Sequence, residues 1–194
     1  MKICLIAAAF LPFIPVQVSA DAAGDFESAL RRALNSGAEW KMSKTFADSP
    51  LVVKSSGTVS CVKAEGIVWK TDMPARTEIS MDRSGMTLWK TDGSRTSLEM
   101  PNYQSIRKAI DRFAEGEAAS LDELFKAEIS AKDGRWTADL TPKRRDMRMI
   151  LKSASVSGRK TIETVKFDYA SGECAVFEFV EKPRVDGKSR SAGE

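Results

Sequence analysis

Between Trp40 and Val180 the chain is written largely in short runs in which apolar and polar residues alternate, each closed by Gly, Ser, Asp or Pro. A period of two is the period of a β-strand with two unlike faces, and turn residues at this spacing join strands into hairpins. In Gly57-Thr58-Val59-Ser60-Cys61-Val62-Lys63 successive side chains point to opposite faces, and Gly66-Ile67-Val68-Trp69-Lys70 can pair back across a tight turn. Punctuation falls at Ser55-Ser56-Gly57, Ala64-Glu65-Gly66, Met73-Pro74 and Arg83-Ser84-Gly85. Further strands are predicted over Glu128–Ser130, Trp136–Leu140, Met147–Val156, Ile162–Tyr169 and Ala175–Val180, with turns at Asp133-Gly134, Ser157-Gly158 and Ser171-Gly172. About nine or ten strands in an antiparallel meander is the simplest topology.

Two stretches depart from this period. Phe26, Leu30, Ala33 and Leu34 share one helical face, and Asn35-Ser36-Gly37 supplies a stop, so the domain opens on an amphipathic helix. Over residues 103–126, Ile106, Ile110 and Phe113 form one helical stripe, and Leu121, Leu124 and Phe125 a second after Ser120, a good N-cap residue. The fold class is α+β, mainly β: a curved antiparallel sheet with helices over one face. If those helices act as a lid, an apolar pocket for a greasy ligand lies beneath them.

The ends read differently from the middle. Residues 1–20 carry Lys2, an apolar run from Ile3 to Val16 and the small-residue pattern Val18-Ser19-Ala20, the form of a secretory signal peptide cleaved near Ala20. The run is too short for a membrane span and is broken by Pro12 and Pro15. Residues 21–181 are then expected to make a single exported domain, and 182–194, charged and without apolar period, a mobile tail. Cys61 and Cys174 remain after cleavage, with two readings open: a disulfide in an oxidising compartment, or two small buried hydrophobes on separate strands.

Composition removes several function classes. With no histidine in 194 residues, Ser-His-Asp and Cys-His constellations and histidine-ligated metals are excluded, along with the commonest general base. No Cys-x-x-Cys and no Gly-rich phosphate loop appear, so no metal, redox or nucleotide cofactor is indicated. Asp122-Glu123 and Glu115/Glu117 fit a solvated surface better than a carboxylate dyad. A net charge of +3, from 30 basic and 27 acidic residues, with no dense basic run among aromatics, argues against nucleic acid. Arg76 and Lys143-Arg144-Arg145 fit either a solvated face or a contact with acidic groups. No catalytic residue is identified, and a non-enzyme is expected.

The segment Gly57–Pro74, with Ile79 and then Gly85-Met86-Thr87-Leu88-Trp89, resembles the LolA family, the periplasmic carriers of outer-membrane lipoproteins, and its wider LolA-like group. The matching pattern is a glycine-led strand, a basic residue at a turn, a strand ending in tryptophan, a proline, and a glycine-turn strand ending in an aromatic. Leu140-Thr141-Pro142, Phe167-Asp168, Gly172-Glu173 and Phe177-x-Phe179 are similar to the family's later strands, so the likeness spans the mature chain. It implies an incomplete, open β-barrel with helices as a lid over a hydrophobic cavity for acyl chains.

On that resemblance the cavity lining is assigned to Trp40, Phe46, Val59, Ile67, Trp69, Ile79, Leu88, Trp89, Ile106, Ile110, Phe113, Leu121 and Leu124, although ordinary core packing accounts for each taken singly. The family's functional arginine and the following proline match Lys63 and Ala64, which keeps the charge but not the planar fork or rigid turn, as in the divergent LolA-like branch. Lys63 is then either a lid or release control or an exposed turn lysine. The implied partners are acylated lipoproteins or other lipid cargo, an inner-membrane lipoprotein-releasing transporter and an outer-membrane acceptor, with a monomer expected. The alternative is a lipid-sensing regulator of envelope stress with the same fold, which usually carries an added domain.

Overall fold

The computed structural model describes residues 20–33, 37–62, 66–82, 84–99, 104, 108 and 122–181. Helix α1 (Ala20–Ala33) is followed by β1 (Gly37–Phe46), β2 (Ser49–Val62), β3 (Gly66–Met73), β4 (Thr77–Met81), β5 (Met86–Lys90) and β6 (Arg95–Leu98). Then come β7 (Phe125–Lys132), β8 (Arg135–Pro142), the single-turn helix α2 (Arg145–Arg148), β9 (Leu151–Gly158), β10 (Ile162–Tyr169) and β11 (Cys174–Glu181). The strands form one antiparallel sheet in the order β6-β5-β4-β3-β2-β1-β11-β10-β9-β8-β7. Every neighbour is also a chain neighbour except at one seam, where the first strand pairs with the last over Ala38↔Glu181 to Thr45↔Cys174. β6 and β7 are the two edges, so the sheet stays open and does not close into a barrel.

The register shows why alternation builds this sheet. Residues directly opposite across antiparallel strands share a face. One row runs Met42, Phe177, Val165, Val156, Ala138, Ile129 through six strands, apolar throughout. Its counterpart on the other face begins one residue away, Lys41, Glu178, Thr164, Ser157, Thr137, Ser130, and is polar throughout. Toward the other edge, Val59, Trp69, Ile79 and Leu88 continue the apolar face, while Ser60, Val68, Ser80, Thr87 and Ser97 continue the second.

The apolar face is concave. Trp69 on β3 and Phe177 on β11 are three strand spacings apart, about 14 Å in a flat sheet, yet their ring centroids lie 5.6 Å apart. Over β7–β10 that face is covered by α1, whose Ala22, Phe26 and Ala29 form one stripe against Trp136, Ala138 and Val156. The two alanines let the helix settle close to the sheet while Phe26 meets Trp136 edge-on at 5.4 Å. Trp136 is 1% exposed and donates its indole N–H to the Arg159 carbonyl at 2.6 Å.

Turn chemistry is local and orthodox. Asp133 (φ 53°) and Gly134 (φ 70°) make the two-residue loop of the β7–β8 hairpin, where both residues need positive φ. Asp82 accepts from the backbone N–H of Ser84 and Gly85 to shape the β4–β5 turn.

Several expectations are corrected. The strand predicted from Met147 begins only at Leu151, because Arg145–Arg148 is a helical turn; the Arg144 guanidinium pairs with Asp146, and the Arg148 side chain donates to the Lys143 carbonyl. Met149 and Ile150 are exposed in the following turn. Phe125, assigned to a helical stripe, opens β7 opposite Pro142. The described residues hold eleven strands rather than nine or ten; β6 (Arg95–Leu98) has too little alternation to be read as one. Of the segment 1–20 read as a signal peptide, residues 1–19 lie outside the described residues, as do residues 34–36, most of the central stretch read as helical and the segment 182–194.

Candidate functional site: the concave aromatic face

At the centre of the concave face five aromatic rings from four strands converge. Trp40 (β1), Trp69 (β3), Phe167 (β10), Phe177 and Phe179 (β11) are linked by centroid distances of 5.1 to 6.3 Å. Trp40 and Trp69 meet at 5.1 Å across the intervening β2 because the β2 residue opposite Trp40 is Gly57, which puts no side chain between them. A Cβ at Gly57 would overlap the Lys70 carbonyl oxygen, where the β2–β3 register shifts between Ser56 and Gly57. Trp40 is 3% exposed, and its Nε1 is a buried donor with no hydrogen-bond partner among the described residues.

Around this centre the face changes character in an ordered way. Toward β6 it continues as half-buried Ile79, Met81, Met86, Leu88 and Leu98. At the β1–β2 hairpin end it stops at a charged pair, Lys44 Nζ to Glu173 Oε2 at 2.9 Å, with the ammonium 5.1 Å from the Phe46 ring and 5.6 Å from that of Tyr169. The opposite, polar face carries Cys174 beside Asp168, Lys166 and Ser153. Burial raises the Cys174 thiol above its ordinary pKa, reinforced by its hydrogen bond to Asp168. Lys166 holds the Asp168 carboxyl below its ordinary value. No group of three or more His, Cys, Asp or Glu among the described residues is placed to hold a metal ion.

Of the residues assigned from the sequence, Trp40, Val59, Ile67, Trp69, Ile79 and Leu88 come together on this face. Phe46 lies at the hairpin end, past a register shift after Thr45. Leu124 is buried just ahead of β7, its carbonyl accepting from Lys143 N–H, away from the aromatic centre. Trp89 is corrected: its row, Thr58, Lys70, Glu78, Trp89, Arg95, belongs to the polar face. There it is 39% exposed beneath the Arg95 guanidinium, since Leu88 and Trp89 are adjacent in one strand and cannot both point inward.

The disulfide reading of Cys61 and Cys174 is also corrected, because Cys174 carries a free thiol. Cys61 follows Ser60, the partner of Gly37, whereas Cys174 partners Thr45, so about 27 Å of β1 separates them. Lys63, Ile106, Ile110, Phe113 and Leu121 lie outside the described residues. The sequence reading missed Phe167, Phe177 and Phe179. Their common parity was visible, but their place beside Trp40 depends on the pairing of the first strand with the last.

The chain thus forms an open antiparallel sheet with an apolar concave face, an opening helix laid on it and a polar opposite face. The chain is similar in fold to a LolA superfamily protein from Nitrosomonas europaea, at 13% identity and a TM-score of 0.46, covering 84% of this chain and 93% of that one. It is also similar to a DUF1329 family protein from Desulfovibrio piger, at 12% identity and a TM-score of 0.44, over 86% and 92% of the two chains. A third similar structure is a chain of the Pseudomonas aeruginosa MucA/MucB complex, at 10% identity and a TM-score of 0.47, over 86% of this chain and 60% of that one. No protein-family model matches the sequence, and no curated relative does. No helix among the described residues is long and apolar enough to cross a membrane.

Proposed function

We propose that this protein is an exported carrier that holds the acyl chains of lipoproteins, or of a related lipid conjugate, against its concave face and shuttles them from the inner to the outer membrane without chemical turnover. The observation that carries this reading is the continuity of the apolar face. It runs from the aromatic centre at Trp40, Trp69 and Phe177 through Ile79 and Leu88 toward the β6 edge, while the rows on the other face are polar apart from Val68 and Trp89.

A surface of this kind matches what a lipid carrier has to supply. Each buried methylene contributes about 0.8 kcal/mol, so an acyl chain of about 16 carbons is held out of water only by comparable apolar area. An open sheet lets that area be reached and left, which suits reversible loading. The sequence resemblance to the LolA family supports the same reading, with the signal-peptide form of residues 1–20 supporting a periplasmic location and, as partners, a lipoprotein-releasing transporter and an outer-membrane acceptor.

The test is mass spectrometry of lipids and lipoproteins co-purified with the protein from periplasm, comparing the wild type with Ile79→Arg, which places a charge on the apolar face between Trp69 and Leu88. Acylated species present in the wild type and reduced at least tenfold in the variant are expected. An empty wild-type protein that also fails to bind a hydrophobic reporter dye would refute the carrier reading.

A further inference from the structure

The indole N–H of Trp40 is the one buried side-chain polar atom without a hydrogen-bond partner among the described residues, and it sits in the aromatic centre of the concave face. Two other described indoles, Trp136 and Trp89, behave differently. Trp136, equally buried, donates to the Arg159 carbonyl at 2.6 Å, and the exposed Trp89 lies 3.4 Å from Ser80 Oγ. Its ring neighbours Trp69 and Phe177 bring no oxygen acceptor to it, and the opposite β2 residue, Gly57, has no side chain to offer one. Buried donors are nearly always satisfied, because desolvating an N–H without replacing its bond to water is costly. A phenylalanine would fill an apolar core position without that cost.

We propose that Trp40 Nε1 is the polar fixing point of the ligand site, donating a hydrogen bond to the carbonyl of an acyl group, ester- or amide-linked, whose chain lies along the apolar face. This rests on the carrier reading and deepens it. The site selects acyl chains over plain hydrocarbons, alkyl ethers and isoprenoid chains that bring no carbonyl to that depth. It also sets the register of the chain: the carbonyl stops at Trp40, and the methylenes extend over Ile79 and Leu88 toward the β6 edge. Lys44 and Glu173 are paired with each other at the hairpin end, so the buried donor at the centre of the face is a neutral one. A neutral donor suits a neutral carbonyl, and it binds without burying a charge.

The experiment is displacement of a fluorescent apolar dye by three ligands of equal length: methyl laurate, N-methyl lauramide and the matching alkyl ether. In the wild type, the ester, the amide or both bind about tenfold tighter than the ether, the size of one well-placed hydrogen bond in a dry site. In Trp40→Phe the ratio of carbonyl-ligand affinity to ether affinity falls below about twofold. A preference for the ester points to a glycerolipid acyl group and a preference for the amide to an N-acylated chain; both support the proposal. Equal binding of all three by the wild type, or discrimination that survives in Trp40→Phe, overturns it and leaves the carrier reading standing. Failure of all three to bind the wild type removes the carrier reading, and this proposal with it.

Should Trp40→Phe fold poorly, the wild type decides by itself. With 15N-labelled indoles, of which the chain has four, one resonance moves downfield with the carbonyl ligand and not with the ether. Assignment follows from Trp69→Phe, Trp89→Phe and Trp136→Phe. Shifts identical for ester, amide and ether overturn the proposal.

Discussion

Cys174 shows how a single position is set by its cross-strand neighbours. It lies on the polar face directly opposite Asp168, whose carboxylate accepts from the thiol and is itself held by Lys166 at 3.0 Å. Burial and this acceptor both disfavour the thiolate, the nucleophilic form, so alkylation is slowed at neutral pH. In a Cys61→Ser background, iodoacetamide at pH 8 is expected to label Cys174 several-fold more slowly than an unstructured peptide thiol. Asp168→Asn should speed the reaction, and rates read by intact-mass spectrometry check both; a faster-than-peptide rate contradicts the assignment. The same Asp168 carries a pH dependence of known sign. Its folded pKa is depressed, so its contribution to stability is present above the ordinary carboxylate pKa and is lost as pH falls through the folded value. The pair is largely exposed, so the amount is below about 1 kcal/mol.

Among the described elements, α1 supplies three of the six buried residues of the core cluster on the sheet. Its stripe of Ala22, Phe26 and Ala29 packs on Trp136, Ala138 and Val156, with Leu30, Ile162 and Val165 at the margin. Phe26→Ala deletes the ring that meets Trp136 edge-on and leaves a cavity under a short helix, which should cost about 3–5 kcal/mol. Urea unfolding followed by circular dichroism measures it, and a loss under about 1 kcal/mol would mean that α1 is not held by this contact. The periodicity of Phe26 and Leu30 made the helix legible. The first turn was not, since Ala22 looks like a residue of no consequence until its place against the sheet is known. Strand β6 failed to announce itself for a related reason: Arg95–Leu98 is held as an edge by backbone pairing with β5 rather than by an apolar face of its own.

Across the whole molecule, the β1–β11 seam joins the part of the sheet under α1 to the β2–β6 part through eight consecutive register pairs, Ala38↔Glu181 to Thr45↔Cys174. The aromatic cluster spans that seam, with Trp40 and Trp69 on one side and Phe167, Phe177 and Phe179 on the other. Loss of the seam would therefore strip packing from both parts, and one cooperative transition follows. Variants retaining only Trp69 or only Trp136 as the fluorophore should unfold in urea with the same midpoint, relative to the far-ultraviolet signal of the same variant. Distinct midpoints for the two probes within matched variants would show two independent units.

The sequence by itself determined the local rules of this fold: strand from alternation, hairpin from Asp133-Gly134, opening helix from the Phe26 stripe, and the absence of histidine chemistry. Each depends on neighbours a few residues apart, where side-chain direction and backbone φ are dictated by residue type. The resemblance to the LolA family put Val59, Trp69, Ile79 and Leu88 in one lining but included the adjacent Trp89 with them, which the strand register turns to the other face. Only the tertiary structure decided that β11 lies beside β1, that Phe167, Phe177 and Phe179 therefore join Trp40, that Trp89 looks outward, and that Cys61 and Cys174 are held far apart. Those outcomes turn on the pairing of strands more than a hundred residues apart, which is chosen by burial of the whole apolar face at once rather than by any short stretch of chain.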